Sequence, residues 1–135
     1  MSCLPVYLDS SALLKLILPE PESAALEKEL QRWPDWLSSA LAAVECRRAL
    51  RRIHAPATVL DRAGCVLEMT TLLRLDEAVL RLAERVGPPA LRSLDAIHLA
   101  AALSIGDVPE AFITYDDRLA EAARKLKLHV LQPGR

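Results

Sequence analysis

Four acidic residues have the type and placement to do chemistry: Asp9, Glu45, Asp95 and Asp116. Asp9 follows the apolar run Val6-Tyr7-Leu8, and Asp116 follows Ala111-Phe112-Ile113-Thr114. Short apolar runs of this kind read as buried strands. If the two strands are parallel, both acids come out at one edge of the sheet, outside the carboxyl ends of the strands, where α/β proteins bind ligands. Asp95 lies in the first turn of a nearly all-apolar helix. Glu45 has Leu41 and Ala49 as its i−4 and i+4 neighbours, so it borders an apolar helix face.

Two carboxylates about 5 Å apart repel by roughly 3 kcal/mol at an effective dielectric of 20. Four in one pocket need a neutraliser. All four are hard oxygen ligands, and no Cys or His pair stands at zinc-ligand spacing, so the matching ion is Mg²⁺ or Mn²⁺. Such an ion keeps positions for water and phosphate oxygens, which suits phosphodiester hydrolysis.

Each acid also has a plain structural use. Asp9 and Asp116 can cap helices, Asp95 can answer a helix macrodipole, and Glu45 can be a solvated helix residue. Their joint placement is more specific than any one of them. Around them, Ser10 and Ser11 can bond a metal-bound water or phosphate, or cap a helix. Arg92, three residues before Asp95, can face a phosphate backbone or solvent. Arg47, Arg48, Arg51 and Arg52 form a basic run beside Glu45, either a solvated face or a track for RNA phosphates. His98, one turn after Asp95, reads as a satisfied core histidine rather than a ligand or base. Trp33 and Trp36 read as packing residues.

The elements that position these groups follow from periodicity and capping signals. After the first strand a helix holds Ala12 to Leu16, stopped by Pro19 and Pro21. A second helix is expected from about Glu22 to Arg32, then a strand at Trp36-Leu37-Ser38 with Ser38 or Ser39 as a cap. The next helix starts near Ala40, with Cys46, Ala49, Leu50 and Ile53 as its core stripe. Pro56 breaks it. Further elements are a helix from Ala57 to Glu68, a strand from Thr70 to Leu75, and a helix from Asp76 to Val86. Gly87-Pro88-Pro89 is a turn. Ser93 is expected to cap the helix Asp95 to Ile105, which Gly106 ends. The last helix opens at Asp116 or Asp117 and runs to Lys125, before a strand at Leu128 to Leu131. Strands alternating with helices predict an α/β fold with a parallel sheet between helical layers.

The chain has 135 residues, 52% hydrophobic and 26% charged, which suits one globular domain over residues 1–135. With 4% aromatic residues the core must be mainly aliphatic. A formal net charge of −1 excludes a global positive field, so any RNA contact rests on a local basic patch or on metal. Cys3, Cys46 and Cys65 are an odd, scattered set, which predicts reduced thiols in a cytoplasmic protein rather than a disulfide framework. No signal peptide or membrane-spanning apolar run is expected.

These stretches together resemble the PIN-domain ribonucleases, and within them the VapC-type toxins of toxin–antitoxin systems. The resemblance runs through Tyr7-Leu8-Asp9-Ser10-Ser11-Ala12-Leu13-Leu14-Lys15-Leu16 and Ser38-Ser39-Ala40-Leu41 with Val44-Glu45. It continues through Arg92-Ser93-Leu94-Asp95-Ala96-Ile97-His98-Leu99-Ala100-Ala101-Ala102 and Phe112-Ile113-Thr114-Tyr115-Asp116. It implies a three-layer α/β/α fold with a five-stranded parallel sheet, and Mg²⁺- or Mn²⁺-dependent endonucleolytic cleavage of RNA. By the same resemblance, Asp9, Asp95 and Asp116 are metal ligands, directly or through water. Glu45 ligates metal or orients the attacking water, and Thr114 is the hydroxyl residue near the fourth acid. Asp116 is preferred to Asp117 because the Thr-x-Asp pattern selects it. The resemblance further implies a cognate VapB-type antitoxin and a homodimer, for which Val59, Leu60, Val66 and Leu67 are a candidate surface.

Other classes fit less well. A receiver domain needs adjacent acids after the first strand and a lysine after the fifth; Asp9 stands alone and Gln132-Pro133-Gly134-Arg135 has no lysine. A haloacid-dehalogenase-type phosphatase needs Asp-x-Asp, which Asp9-Ser10-Ser11 lacks. A non-catalytic PIN-like module that binds RNA or protein is the remaining alternative, and the intact acid quartet argues against it.

Overall fold

The computed structural model describes residues 5–105 and 109–135. Cys3, and Gly106 as the expected helix stop, lie outside the described residues. The elements are β1 (Pro5–Leu8), α1 (Ser10–Ile17), α2 (Ser23–Leu30), β2 (Asp35–Ser39), α3 (Ala40–Arg52) and α4 (Ala57–Met69). They continue with β3 (Thr71–Leu73), α5 (Glu77–Ala83), α6 (Ser93–Leu103), β4 (Ala111–Ile113), α7 (Asp117–Lys125) and β5 (Val130–Leu131).

All five strands are parallel, in the order β3-β2-β1-β4-β5. The alternating side chains of the central strands divide the core in two. Val6, Leu8, Ala111 and Ile113 face a layer built from α1 to α4, with Leu13, Leu26 and Leu50 among its fully buried members. Tyr7 and Phe112 face the opposite layer of α5, α6 and α7, with Leu99 and Leu119. The period-2 geometry of strands produces this separation. Tyr7 and Phe112 are register partners, and their rings stack 5.2 Å apart at an interplanar angle of 5°. This is the expected three-layer α/β/α sandwich. The sheet order also separates the chain from the receiver fold, whose order is 2-1-3-4-5.

The order places a topological switch at the centre. From β1 the chain moves outward through β2 and β3, then crosses back to place β4 on the other side of β1. Asp9 and Asp116 therefore sit beyond the carboxyl ends of two adjacent strands. The Asp9 amide continues the ladder by donating to the Ile113 carbonyl at 3.2 Å.

Several local expectations need correction. Ile53 is not in the core stripe of α3: it is 56% exposed. The helix ends at Arg52 and Ile53 is its C-cap at φ −93° and ψ 6°, so helical periodicity no longer carries it inward. Ser93 does not cap α6. Arg92 holds the N-cap position and Ser93 is the first helical residue. Ser39 occupies the N-cap of α3 but makes no capping bond. The expected dimer surface is mostly internal, because Val66 and Leu67 belong to the core and Val59 packs against it, leaving Leu60 exposed. The third strand is shorter than expected, since the Thr70 hydroxyl turns back to the Val66 carbonyl at the end of α4. Among the described residues, no helix is long and apolar enough to cross a membrane.

Candidate active site

Asp9 is the N-cap of α1. Its Oδ1 accepts from the Ala12 amide at 3.0 Å and from the Ser11 hydroxyl at 2.6 Å, while Oδ2 accepts from the Thr114 hydroxyl at 2.6 Å. It is 3% exposed, and burial raises its pKa against the lowering effects of His98 and these hydrogen bonds. No cationic side chain contacts it among the described residues. The cap fixes the Asp9 carboxyl group at the sheet edge in a buried place.

Asp116 is the N-cap of α7. Its Oδ1 takes the amides of Arg118 at 2.9 Å and Leu119 at 3.1 Å, which leaves Oδ2 free to turn toward α6. Asp95, the third residue of α6, lies opposite. Arg92 bridges the two: Nη2 donates to Asp116 Oδ2 at 2.9 Å and Nε to Asp95 Oδ2 at 3.3 Å. Asp95 has its pKa raised by burial first and by the negative charge of Asp116 second, with Arg92 opposing both. The two carboxylates thus hold one cation between them.

Glu45 approaches from α3. Its Oε1 is hydrogen-bonded to His98 Nε2 at 2.7 Å, while His98 Nδ1 meets the Tyr7 hydroxyl at 2.9 Å. His98 is the satisfied core histidine expected from the sequence, but one of its partners is an expected site acid. Thr114 is also where it was expected. Besides donating to Asp9, its hydroxyl accepts the Asp116 amide at 3.1 Å, joining two of the acids.

Of the two serines, Ser11 reaches the acids. Its hydroxyl donates to Asp9 and accepts the Tyr115 amide at 2.9 Å. The Ser10 side chain makes no such bond among the described residues, and its carbonyl instead faces the Cys46 thiol. Successive helical residues point about 100° apart, so only one of the pair can face the cluster. Arg48 does not join the acids. With Arg51, Arg52 and His54 it lines a shallow basic cavity of about 440 Å³ at the end of α3.

The loop carrying Thr114 and Asp116 is strapped by the C-terminal residues. The Tyr115 hydroxyl donates to the Pro133 carbonyl at 2.7 Å, the Gln132 amide to the Thr114 carbonyl at 3.0 Å, and Arg135 to the Tyr115 carbonyl at 3.1 Å. Nothing in the sequence pattern singled out these contacts.

Among the described residues, no three His, Cys, Asp or Glu side chains close on one point as metal ligands. Three observations nevertheless fit a cation at this edge. Asp95 and Asp116 already share the Arg92 guanidinium. Asp9 is a buried carboxyl group without a cationic contact among the described residues. The buried Ser38 and Ser39 hydroxyls have no hydrogen-bond partner among the described residues. By continuation of the β1–β2 register, Ser39 stands level with Asp9.

Comparison with known proteins agrees with this arrangement. The PIN domain family model matches residues 6–125. The chain belongs to the PIN-domain family. Within it the chain is 41% identical to the ribonuclease VapC47 of Mycobacterium tuberculosis, covering 96% of this chain and 97% of that protein. It is 44% identical to the ribonuclease VapC46 of the same organism, over 96% of this chain and 98% of that protein. These matches make it a VapC-type PIN domain. The fold is shared with crystal structures of M. tuberculosis VapC20, a sarcin–ricin loop cleaving toxin, and of PAE2754 from Pyrobaculum aerophilum. VapC20 has a TM-score of 0.67 at 16% identity, with 87% of this chain and 94% of that chain covered. PAE2754 has a TM-score of 0.64 at 24% identity, with 95% and 83% covered.

Proposed function

We propose that this VapC-type PIN domain is a divalent-metal-dependent endoribonuclease, the toxin of a toxin–antitoxin pair. The observation that carries the reading is the set of acids at the β1/β4 switch point, two of them already sharing a cation. Asp9, Asp95 and Asp116 would hold Mg²⁺ or Mn²⁺, with Glu45 as a further ligand or as the group that orients the attacking water. When bound, the metal supplies an activated water and charge stabilisation on the phosphate oxygens.

The chain's own groups do the rest. Thr114 and Ser11 fix both oxygens of Asp9. Arg92 is 66% exposed at its side chain, so it would be free to leave the carboxylates for an RNA phosphate if a metal were held there. A cavity of about 320 Å³ opens beside Asp95, with Leu91 and Ala122 in its apolar lining and Arg92, Arg118 and Lys125 as its cations. A strand of RNA laid there has its phosphates near the acids. Arg48 and its neighbours offer a second group of positive charges for the phosphate backbone.

A cognate VapB-type antitoxin would silence the enzyme by bringing a cationic side chain to the same carboxylates, as Arg92 does within the chain. The working form would be a cytoplasmic homodimer, sequestered by antitoxin when inactive.

The test is cleavage of a mixed RNA pool by purified protein with Mg²⁺ or Mn²⁺ against EDTA, beside an Asp9→Asn variant. Metal-dependent cleavage that disappears in the variant supports the reading. Equal cleavage by both proteins, or none by the wild type across the pool, overturns it.

A further inference from the structure

The acid quartet accounts for Glu45 but not for the buried groups behind it. Glu45 is the only one of the four that is neither a helix cap nor in the first turn of a helix. It sits in the middle of α3 on a long side chain, 21% exposed, with no backbone amide to hold its carboxylate. What holds it comes from the other side of the sheet. His98 projects from α6 and is 1% exposed; Tyr7 projects from β1 and is 0% exposed.

With Glu45 ionised and the imidazole neutral, the proton placement along this line follows from donor and acceptor chemistry. An ionised carboxylate can only accept, so His98 Nε2 carries the hydrogen and donates to Glu45 Oε1 across 2.7 Å. A neutral imidazole with hydrogen on Nε2 has Nδ1 as an acceptor, and the Tyr7 phenol donates to it across 2.9 Å. The Ser38 and Ser39 hydroxyls lie beside the phenol and lower its pKa against the larger raising effect of burial. The Tyr7 ring is itself held between its edge contact with His98 and its stack on Phe112. Three side chains from three elements, 38 to 91 residues apart in sequence, form one directed line ending on a site carboxylate.

We propose that Tyr7 and His98 are positioning residues for RNA cleavage: Tyr7 sets the imidazole tautomer, and His98 aims the Glu45 carboxylate into the acid cluster. This rests on the nuclease reading above. A reacting group must sit within a fraction of an ångström of its working geometry, and a mid-helix glutamate has three side-chain torsions to restrain. Partners that orient a ligand in this way are typically worth about 10–100-fold in activity.

The test compares His98→Leu, His98→Gln and Tyr7→Phe, each in the wild-type and the Glu45→Gln backgrounds. Steady-state cleavage is measured beside thermal unfolding of each protein. Gln places a donor near the position of Nε2, whereas Leu fills the space without one. Expected results are a kcat loss of about 10–100-fold for His98→Leu with KM little changed, a substantial recovery in His98→Gln, and a smaller kcat loss in Tyr7→Phe. In the Glu45→Gln background, His98→Leu should cost almost nothing further. Nitrogen-15 NMR of the imidazole gives a readout independent of activity, with the Nε2–H tautomer in the wild type and a mixture in Tyr7→Phe.

Equal losses in His98→Leu and His98→Gln that follow the unfolded fraction overturn the proposal. So does an undiminished effect of His98→Leu when Glu45 is already Gln, or an Nδ1–H tautomer in the wild type. A wild type with no metal-dependent cleavage fails the nuclease reading itself, and is told apart from these outcomes, in which the wild type cleaves.

Discussion

The Thr114 hydroxyl donates to Asp9 Oδ2 at 2.6 Å and accepts the Asp116 amide at 3.1 Å, so one oxygen ties together the acids that follow β1 and β4. Thr114 is fully buried. Thr114→Val keeps the shape of the side chain and removes both bonds, leaving Asp9 and the Asp116 amide short of partners. The variant should lose about 1–3 kcal/mol of stability and at least tenfold in cleavage rate. Denaturant unfolding and RNA cleavage read the two effects separately.

Asp9 should weaken the metal-free protein it serves. Its pKa is raised by burial, so the folded state favours the protonated acid. For an acid raised above its unfolded value, the associated stability is present below the unfolded pKa and is lost as pH rises through the folded pKa. At neutral pH, above the unfolded pKa, the buried acid is therefore a burden on the fold. Asp9→Asn should melt higher than the wild type in EDTA at pH 7, by roughly 4 °C for each kcal/mol recovered in a chain of this size. The gap should close toward pH 3 and shrink when saturating Mn²⁺ is added to the wild type. A lower melting temperature for Asp9→Asn at pH 7 would contradict this account.

Arg92 already occupies Asp95 and Asp116, so a metal ion bound as proposed would compete with it. Removing the guanidinium in Arg92→Ala should tighten Mn²⁺ binding severalfold in calorimetric titration without RNA. The same variant should bind RNA more weakly, with a shallower dependence on salt, because a phosphate contact is gone. Unchanged metal affinity would show that Arg92 does not share the metal's place.

Gly134 is a structural prediction at a distance from the acids. Its φ is +89°, and an added Cβ would stand 3.1 Å from the Glu22 backbone and 3.2 Å from Ala25 Cβ. Both the conformation and the space favour glycine. Gly134→Ala should destabilise the chain by about 1–3 kcal/mol. By loosening Pro133 from the Tyr115 hydroxyl it should also lower cleavage. Chemical denaturation with activity measured on the folded fraction separates these effects.

Much of the site was legible because its acids occupy positions that local rules define. Asp9 and Asp116 end apolar runs and start helices, and Asp95 opens an apolar helix. Such signals act over a few residues and survive without knowledge of the tertiary fold. Thr114 was legible through the family resemblance, which implies a hydroxyl residue near the fourth acid. Ser10 is the supporting hydroxyl the sequence suggests, but one residue of helix rotation brings Ser11 to the cluster instead. Ile53 was misplaced for a similar reason: the helix stopped one residue before the periodic pattern did.

By itself the sequence determined the alternation of strands and helices, the two-faced burial of the central strands, and the family to which the acid spacing belongs. The elements follow from periodicity and capping, and the family from the resemblance of whole motifs; each of these signals is short-range. Only the tertiary structure decided that β1 lies between β2 and β4, and that Arg92 closes the gap between Asp95 and Asp116. It alone decided that His98 reaches Glu45 across 53 residues and that Thr114 reaches Asp9 across 105. Those contacts depend on which strands neighbour each other and how helices cross them, and no local pattern in a single chain encodes such pairings.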